Sequence, residues 1–300
     1  MRAYVTGASG FVGRHVVREL EERGWEVGGE RVDLLDHEGL DQAVEGCHAV
    51  FHVAALYSYD ADIEEMRRVN VDGTRAVVEA CQRQGVGRLV YCSTAGTCGP
   101  VAGRPANEED EPPPWELAVP YKRTKVEAER VVLDAAADGL DAVVVNPTTP
   151  VGEGDDRPTP TGRMVRQVAT GRIPGYVPTT GLNVVDVEDV AVGHVLAFEH
   201  GVRGQRYLLG GHDMTLEDLF ATIARLAGRP RPRIRVPYWV AQAVAGVGLA
   251  NRDEVRLARL PMYFSSLKAE TTLGYRPGPV LPALERAVRD ALVGTGKGGA

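Results

Sequence analysis

Tyr121 and Lys125 stand four residues apart in a stretch whose apolar positions, Val126, Val131, Val132 and Ala135, have helical spacing. Residues i and i+4 share a helical face, so a phenol and an ammonium point the same way. Alone, such a pair is commonplace at a protein surface. Two other stretches give it chemical company. Ser93-Thr94-Ala95 closes an apolar strand, Arg88-Leu89-Val90-Tyr91-Cys92, and hydroxyls at the C-terminal edge of a strand face the ligand crevice of an open α/β sheet. Near the start, Gly7-Ala8-Ser9-Gly10-Phe11-Val12-Gly13 joins the strand Ala3-Tyr4-Val5 to a helical pattern of Val12, Val16, Val17 and Leu20. Gly7 allows a tight turn, Gly10 lets a phosphate approach the backbone, and Gly13 lets helix and strand pack closely. The helix N-terminus then offers free N–H groups to a pyrophosphate. A plain Gly-rich turn would look similar in isolation. Its position at the head of an alternating β/α chain points to dinucleotide binding.

The elements that must position these residues alternate along the first half. The strand 49–55 is apolar and ends in small residues, so that Ala54 lets a cofactor lie against the strand end. His52, mid-strand with no acid partner in sight, reads as a core histidine. A helix is expected over residues 63–84, with Asn70 bonding a neighbouring backbone rather than acting in catalysis. The second strand, starting at Trp25-Glu26-Val27, runs into Glu30-Arg31 and then Val32-Asp33-Leu34-Leu35-Asp36, which leaves the second crossover helix missing or reduced to a turn. An NAD-binding fold usually ends this strand in an acidic residue that holds the ribose 2′-hydroxyl. Arg31 either meets a 2′-phosphate, favouring NADP with Arg14 as a helper, or is a solvated loop charge. Both readings stay open, so the expected cofactor is NAD or NADP.

Composition narrows the class. A chain of 300 residues can hold two lobes around a cleft, and its net charge of −7 argues against nucleic acid or an anionic membrane as partner. The four cysteines lack metal spacing and read as reduced thiols of a cytoplasmic protein. No metal site is expected. Met1 leads almost directly into the first strand, which leaves no room for a signal peptide. The apolar run 236–250 contains Gln242, is too short to span a bilayer, and reads as a lid or core helix rather than a membrane contact, with the wall of a greasy substrate pocket as a further reading. The acidic run Glu108-Glu109-Asp110-Glu111 reads as a solvated loop. A helix near 162–170, another over 214–227 capped by Thr215, a last helix over 281–293 and a flexible tail from Gly294 are expected in the second half.

Taken together, the motifs resemble those of an extended short-chain dehydrogenase/reductase of the NAD-dependent epimerase/dehydratase type. They are the glycine turn, Asp33-Leu34-Leu35-Asp36, His52-Val53-Ala54-Ala55, Asn70-Val71-Asp72-Gly73-Thr74, Ser93-Thr94-Ala95, Tyr121 to Lys125, and Asn146-Pro147. Within that family, Asn146 to Gly152, Pro158 to Arg163, Gly181 to Ala191 and Tyr207 to Gly211 are similar to hopanoid-associated sugar epimerases, close to dihydroflavonol-reductase-like enzymes. The resemblance implies an α/β fold, a Rossmann doubly wound parallel sheet with a smaller C-terminal substrate lobe. Residues 1–150 would form the dinucleotide-binding domain. Residues 151–300 would be mostly substrate lobe, with about 183–210 returning to the first domain.

The resemblance also implies roles. Tyr121 would be the acid/base, Lys125 its activator and a ribose ligand, and Thr94 a hydrogen-bond partner of the substrate oxygen. Asp33 and Leu34 would line the adenine pocket, and Asn146 and Pro147 the nicotinamide side. A small-molecule substrate is expected, and a homodimer is compatible with the family. One position departs from relatives acting on nucleotide sugars: Leu182 stands where they carry an Arg that clamps a diphosphate. Arg163, Arg166 and Arg172 could compensate, but read as a solvated helix face. The sequence thus favours interconversion of a secondary alcohol and a ketone, with sugar epimerisation as the alternative and a non-catalytic nicotinamide sensor third.

Overall fold

The computed structural model describes residues 1–57, 62–248 and 251–293. Its first half alternates as the hydrophobic pattern requires. Strand β1 (Arg2–Thr6) leads through the glycine turn into α1 (Phe11–Glu22), followed by β2 (Glu26–Gly28), α2 (His37–Val44) and β3 (Ala49–His52). Next come α3 (Ile63–Arg67), α4 (Gly73–Gln84), β4 (Arg88–Cys92), α5 (Pro120–Ala137) and β5 (Ala142–Pro147). The second half supplies β6 (Thr149–Val151), α6 (Pro160–Ala169), β7 (Gly175–Tyr176), β8 (Gly181–Asp186), α7 (Val187–His200), β9 (Arg206–Leu209) and β10 (His212–Thr215). It closes with α8 (Leu216–Leu226), β11 (Ile234–Arg235), α9 (Tyr238–Gly246), α10 (Arg252–Leu257), α11 (Leu267–Thr272) and α12 (Val280–Val293).

The main sheet is parallel, in the order β2-β1-β3-β4-β5-β9. Its central strands are buried on both faces, which is why Ala142-Val143-Val144-Val145 reads as an unbroken apolar run. One face is covered by α1 and α7, where Trp25 packs edge-on against Phe198 and Phe51. The other is covered by α2, α4 and α5. The chain leaves β1 toward β2 and then crosses back to β3, so the order reverses beside β1. That reversal opens a crevice at the carboxyl ends of β1 and β3. A three-stranded sheet, β10-β8-β6, packs with α6, α8 and α12 around a separate core.

Several expectations are altered by contacts distant in sequence. The helix expected over 63–84 runs without interruption but widens to a π-turn over Arg68–Asp72. There Asn70 turns to bond both backbone groups of Leu56 and the Thr124 hydroxyl. No helix occupies residues 29–36, yet the crossover from β2 to β3 does not lack one, since α2 carries it over His37–Val44. The acidic run is not wholly solvated: Glu108 is 7% exposed and accepts from Leu208 N–H. Thr215 caps α8 as expected, accepting from Asp218 N–H. All four cysteines are free and buried. The tail from Gly294 lies outside the described residues.

Strand β9 is pinned to α5 by a buried ion pair. Arg206 donates to the Glu129 carboxylate at 3.0 Å, and Glu129 also accepts from Thr97 Oγ1 and Asn146 Nδ2, both at 2.8 Å. Removing one member of a buried pair strands the other charge. Arg206→Ala should therefore lower the unfolding free energy by about 3 kcal/mol in urea denaturation, the usual scale for such a loss. A loss below ~1 kcal/mol, the scale of an exposed pair, would show that Glu129 is satisfied without Arg206.

Candidate active site

A cavity of about 1140 Å³ runs from the glycine turn into the space between the two sheets. At its dinucleotide end, Gly7 has φ +70, and a Cβ there would lie 2.8 Å from the Ala54 backbone. Only glycine lets the ends of β1 and β3 come so close. A Cβ on Gly13 would strike the Gly7 carbonyl, so α1 sits directly on the turn. Gly10 is the N-cap of α1, no side chain caps the helix, and its first turn carries no acid. Its leading N–H groups are therefore left for an anion. Gly7, Ser9, Gly10, Phe11, Val12, Gly13 and Ala54 all line the cavity.

His52 is the core histidine expected, and it aligns this wall. Its Nδ1 lies 2.7 Å from Thr6 Oγ1 and its Nε2 3.0 Å from Thr74 Oγ1. Because Thr74 donates to the Asn70 carbonyl, His52 must donate from Nε2 and accept at Nδ1. Thr6 Oγ1 in turn accepts from the Val53 and Ala54 N–H groups, both at 3.1 Å. Burial lowers the imidazole to about 3, and the Lys125 charge acts in the same sense, so the ring stays neutral.

At the middle of the cavity, α5 begins with Pro120 at its first turn, which sets Tyr121 on the wall and Lys125 one turn deeper. Lys125 is 1% exposed. Its ammonium donates at 2.8 Å to Tyr91 Oη and at 2.8 Å to the Cys92 carbonyl, leaving one of its three donors free. Tyr121 stacks on Tyr57, with ring centroids 4.1 Å apart. Burial, with Tyr57, Cys92 and Tyr91 beside it, holds the Tyr121 phenol well above its usual value. A phenolate there therefore needs added positive charge. Thr94 caps a short turn, accepting from Gly96 N–H at 3.2 Å, so its own hydroxyl proton can point elsewhere. The buried hydroxyls of Ser93 and Thr148 line the same wall and have no partner among the described residues. Uncapped helix, close glycine turn and orphaned hydroxyls along one cavity together fit a dinucleotide, whose polar groups Ser93 and Thr148 would be free to meet.

Some expected residues lie elsewhere. Asn146 does not line the cavity: it is fully buried behind Thr94, donating to the Thr94 carbonyl, Thr97 Oγ1 and Glu129. Its neighbour Pro147 does reach the wall. Arg14 pairs with Asp156 at 2.8 Å and leaves the cavity wall to Arg31, Asp33 and Leu34. Arg31 is exposed and has no side-chain partner among the described residues. At the far end, Leu182 lines the cavity with Met164, Phe220 and Met262. Arg163 does not sit on a solvated face; it lines this end with Arg157, whereas Arg166 and Arg172 do not. Sequence reasoning missed Glu129 and the buried Lys122–Glu116 pair. A signal existed, since Lys125, Glu129 and Val132 share the stripe of α5 that is buried, and a carboxylate there demands a partner.

The family model described as "NAD dependent epimerase/dehydratase family" matches residues 3–210. A Synechocystis protein provisionally named dihydroflavonol 4-reductase is 36% identical, over 95% of this chain and 93% of its own length. Sterol demethylase protein B of Methylococcus capsulatus is 35% identical, over 82% of this chain and 80% of its own. Among solved structures, that of gox2253 superimposes with a TM-score of 0.84 at 38% identity, covering 96% of this chain and 97% of the other. The chain belongs to the NAD dependent epimerase/dehydratase family, within the extended short-chain dehydrogenase/reductases.

Burial lowers the Lys125 ammonium from 10.5 to about 8. Below pH 8 it is protonated whether the chain is folded or not, and the cost of burying the charge is felt in full. Between pH 8 and 10.5 only the unfolded chain holds the proton, so this group's contribution to stability rises with pH. The buried thiols, pushed up to about 11 or 12, act oppositely. The wild-type minus Lys125→Met difference in unfolding free energy isolates the ammonium. It should grow by roughly 2 kcal/mol from pH 7.5 to pH 10. A flat difference would rule out the desolvated ammonium.

Proposed function

We propose that this chain is an oxidoreductase that interconverts a secondary alcohol and a ketone on a moderately apolar molecule. The reading rests on one observation: Thr94, Tyr121 and the buried Lys125 lie on one wall of the cavity that begins at the glycine turn. When bound, the nicotinamide supplies the hydride acceptor or donor. Tyr121 takes the carbinol proton in oxidation and returns it to the ketone oxygen in reduction. Thr94, whose oxygen already accepts from Gly96 N–H, donates its proton to that same substrate oxygen. Lys125, one helical turn from Tyr121, spends two donors on Tyr91 and Cys92 and offers the third to a ribose hydroxyl.

The far end of the cavity supports an apolar substrate body. Leu182 stands there in place of a phosphate clamp, with Met164, Phe220, Leu257 and Met262 around it. The name of the Methylococcus relative, which refers to sterols, agrees with that size and character. Tyr121→Phe should lower turnover of apolar secondary alcohols, sterols included, by ~10²-fold or more, with cofactor affinity near normal. Wild-type turnover in that variant would remove Tyr121 from the chemistry.

Arg31 decides between the two nicotinamide cofactors in this reading. Exposed on the cavity wall without a partner of its own, it can meet a 2′-phosphate by a charge-assisted hydrogen bond. Arg31→Ala should weaken NADPH binding by ~1.5–3 kcal/mol and leave NADH nearly unchanged. Equal losses for both cofactors, or none, would make Arg31 a surface charge.

A second reading has its own observation. Arg157 and Arg163 on the far wall could receive a phosphate-bearing substrate, as sugar-nucleotide epimerisation requires. Without a clamp at Leu182, UDP-glucose and dTDP-glucose are expected to bind no more tightly than millimolar in calorimetry. A micromolar dissociation constant for either would favour the epimerase.

A further inference from the structure

Between Arg225 and Arg259 the chain carries eight arginines against two acidic residues, although over its whole length acids outnumber bases, 41 to 34. Three of these arginines alternate with prolines in Arg229-Pro230-Arg231-Pro232-Arg233. All three are exposed, and none has a side-chain partner among the described residues. Farther along, Arg235 is paired with Glu217 and Arg256 with Asp253. The Arg-Pro segment therefore presents uncompensated charge to solvent.

Large apolar groups are exposed beside it. Ile234 is 57% exposed, Trp239 72% and Val247 73%. Helix α9 buries Ala241 and Ala245, while Trp239, Ala243 and Gly246 are exposed along its opposite face and Val247 just past its end. A helix with an exposed apolar face, a tryptophan at one end and arginines alongside has the composition of an element that lies in a lipid interface. At nine residues it is far too short to cross a bilayer.

The position of this face adds meaning to its composition. Strand β11, just after the Arg-Pro segment, pairs with β7, whose Gly175 and Tyr176 line the cavity. On the other side, Arg252 of α10 donates to the Ala245 and Gly246 carbonyls of α9, and Leu257 and Ala258 line the same cavity. The basic, apolar face is thus carried on elements that wall the apolar end of the cavity. The net charge of −7 does not oppose an anionic partner here. At physiological salt the field of distant charges is screened within about 8 Å, so the local patch governs contact.

We propose that this face docks on an anionic phospholipid bilayer, with Trp239 and Val247 in the headgroup layer and Arg229, Arg231 and Arg233 over the lipid phosphates. Charge complementarity selects this occupant. The docking is independent of which substrate the cavity takes.

Sedimentation of the full chain with vesicles tests it, comparing pure phosphatidylcholine with phosphatidylcholine containing about one-third phosphatidylglycerol. Binding is expected to the anionic vesicles only, and to fall at high salt. The Arg229→Ala/Arg231→Ala/Arg233→Ala triple variant should partition ~10²-fold more weakly, the scale of three cations lost from an anionic surface. Trp239→Ala should also weaken binding, and brominated lipid should quench wild-type fluorescence more than that of Trp239→Ala. None of these residues lines the cavity, so cofactor titration should be unchanged and serves as the control for folding. Equal binding to both vesicle types, or triple-variant binding equal to wild type, would overturn the proposal. So would absent vesicle binding with a dimer that Trp239→Ala dissociates, which would assign the face to a second copy of the chain.

Discussion

An ammonium buried away from water must be met by oxygens, and the two that meet Lys125 both come from the end of β4. Tyr91 Oη and the Cys92 carbonyl hold it at 2.8 Å each. That contact ties α5 to the carboxyl edge of the sheet at β4, one strand beyond the crevice between β1 and β3. Once Lys125 is placed, Tyr121 one turn earlier has little choice of position, and Thr94 two residues beyond Cys92 comes onto the same wall. The glycine turn serves the same edge from the other side, letting β1 approach Ala54 more closely than a side chain would permit.

Behind that wall stands a second set of charges whose carboxylates, on Glu129 and Glu116, are buried. Glu129 gathers Thr97, Asn146 and Arg206, and Glu116 holds Lys122 against the turn that follows Thr94. Neither group reaches the cavity with its carboxylate. Their effect is to make the wall stiff: Thr94's carbonyl is held by Asn146, and Asn146 is held by Glu129. Buried networks of this kind resist distortion because a displaced member leaves a further polar group unpaired, and here Asn146 Oδ1 and Glu116 Oε1 already have no partner among the described residues.

Much of this was legible in the residues, and the failures share a cause. Periodicity and turn chemistry are local, so the glycine turn, the Tyr121–Lys125 helix face and the Thr215 cap could be read directly. The π-turn at Arg68–Asp72 could not, because its reason is Leu56, on another segment. Asn146 ends an apolar strand that gives no hint of which way its amide turns. Glu108 looked solvated within a run of acids, yet the Leu208 N–H that it satisfies is 100 residues away. Arg163 looked like a solvated helix charge because nothing near it in sequence marks that turn of α6 as the wall of a cavity. Charges reveal their burial only through partners, and partners are set by topology.

The placement of β9 has a consequence for the order in which the molecule can come together. This strand pairs with β5 through Val144↔Arg206 and its neighbours, after the chain has left to build β6 and β8 and then returned. During synthesis the first five strands emerge well before Arg206 does. Until then the carboxylate of Glu129 has no guanidinium to face, and the edge of β5 has no neighbour. A nascent chain in that state carries an open strand edge and an unmatched charge side by side, and the charge discourages another chain from pairing there. Arrival of residues 206–209 closes the edge and neutralises the carboxylate in one event.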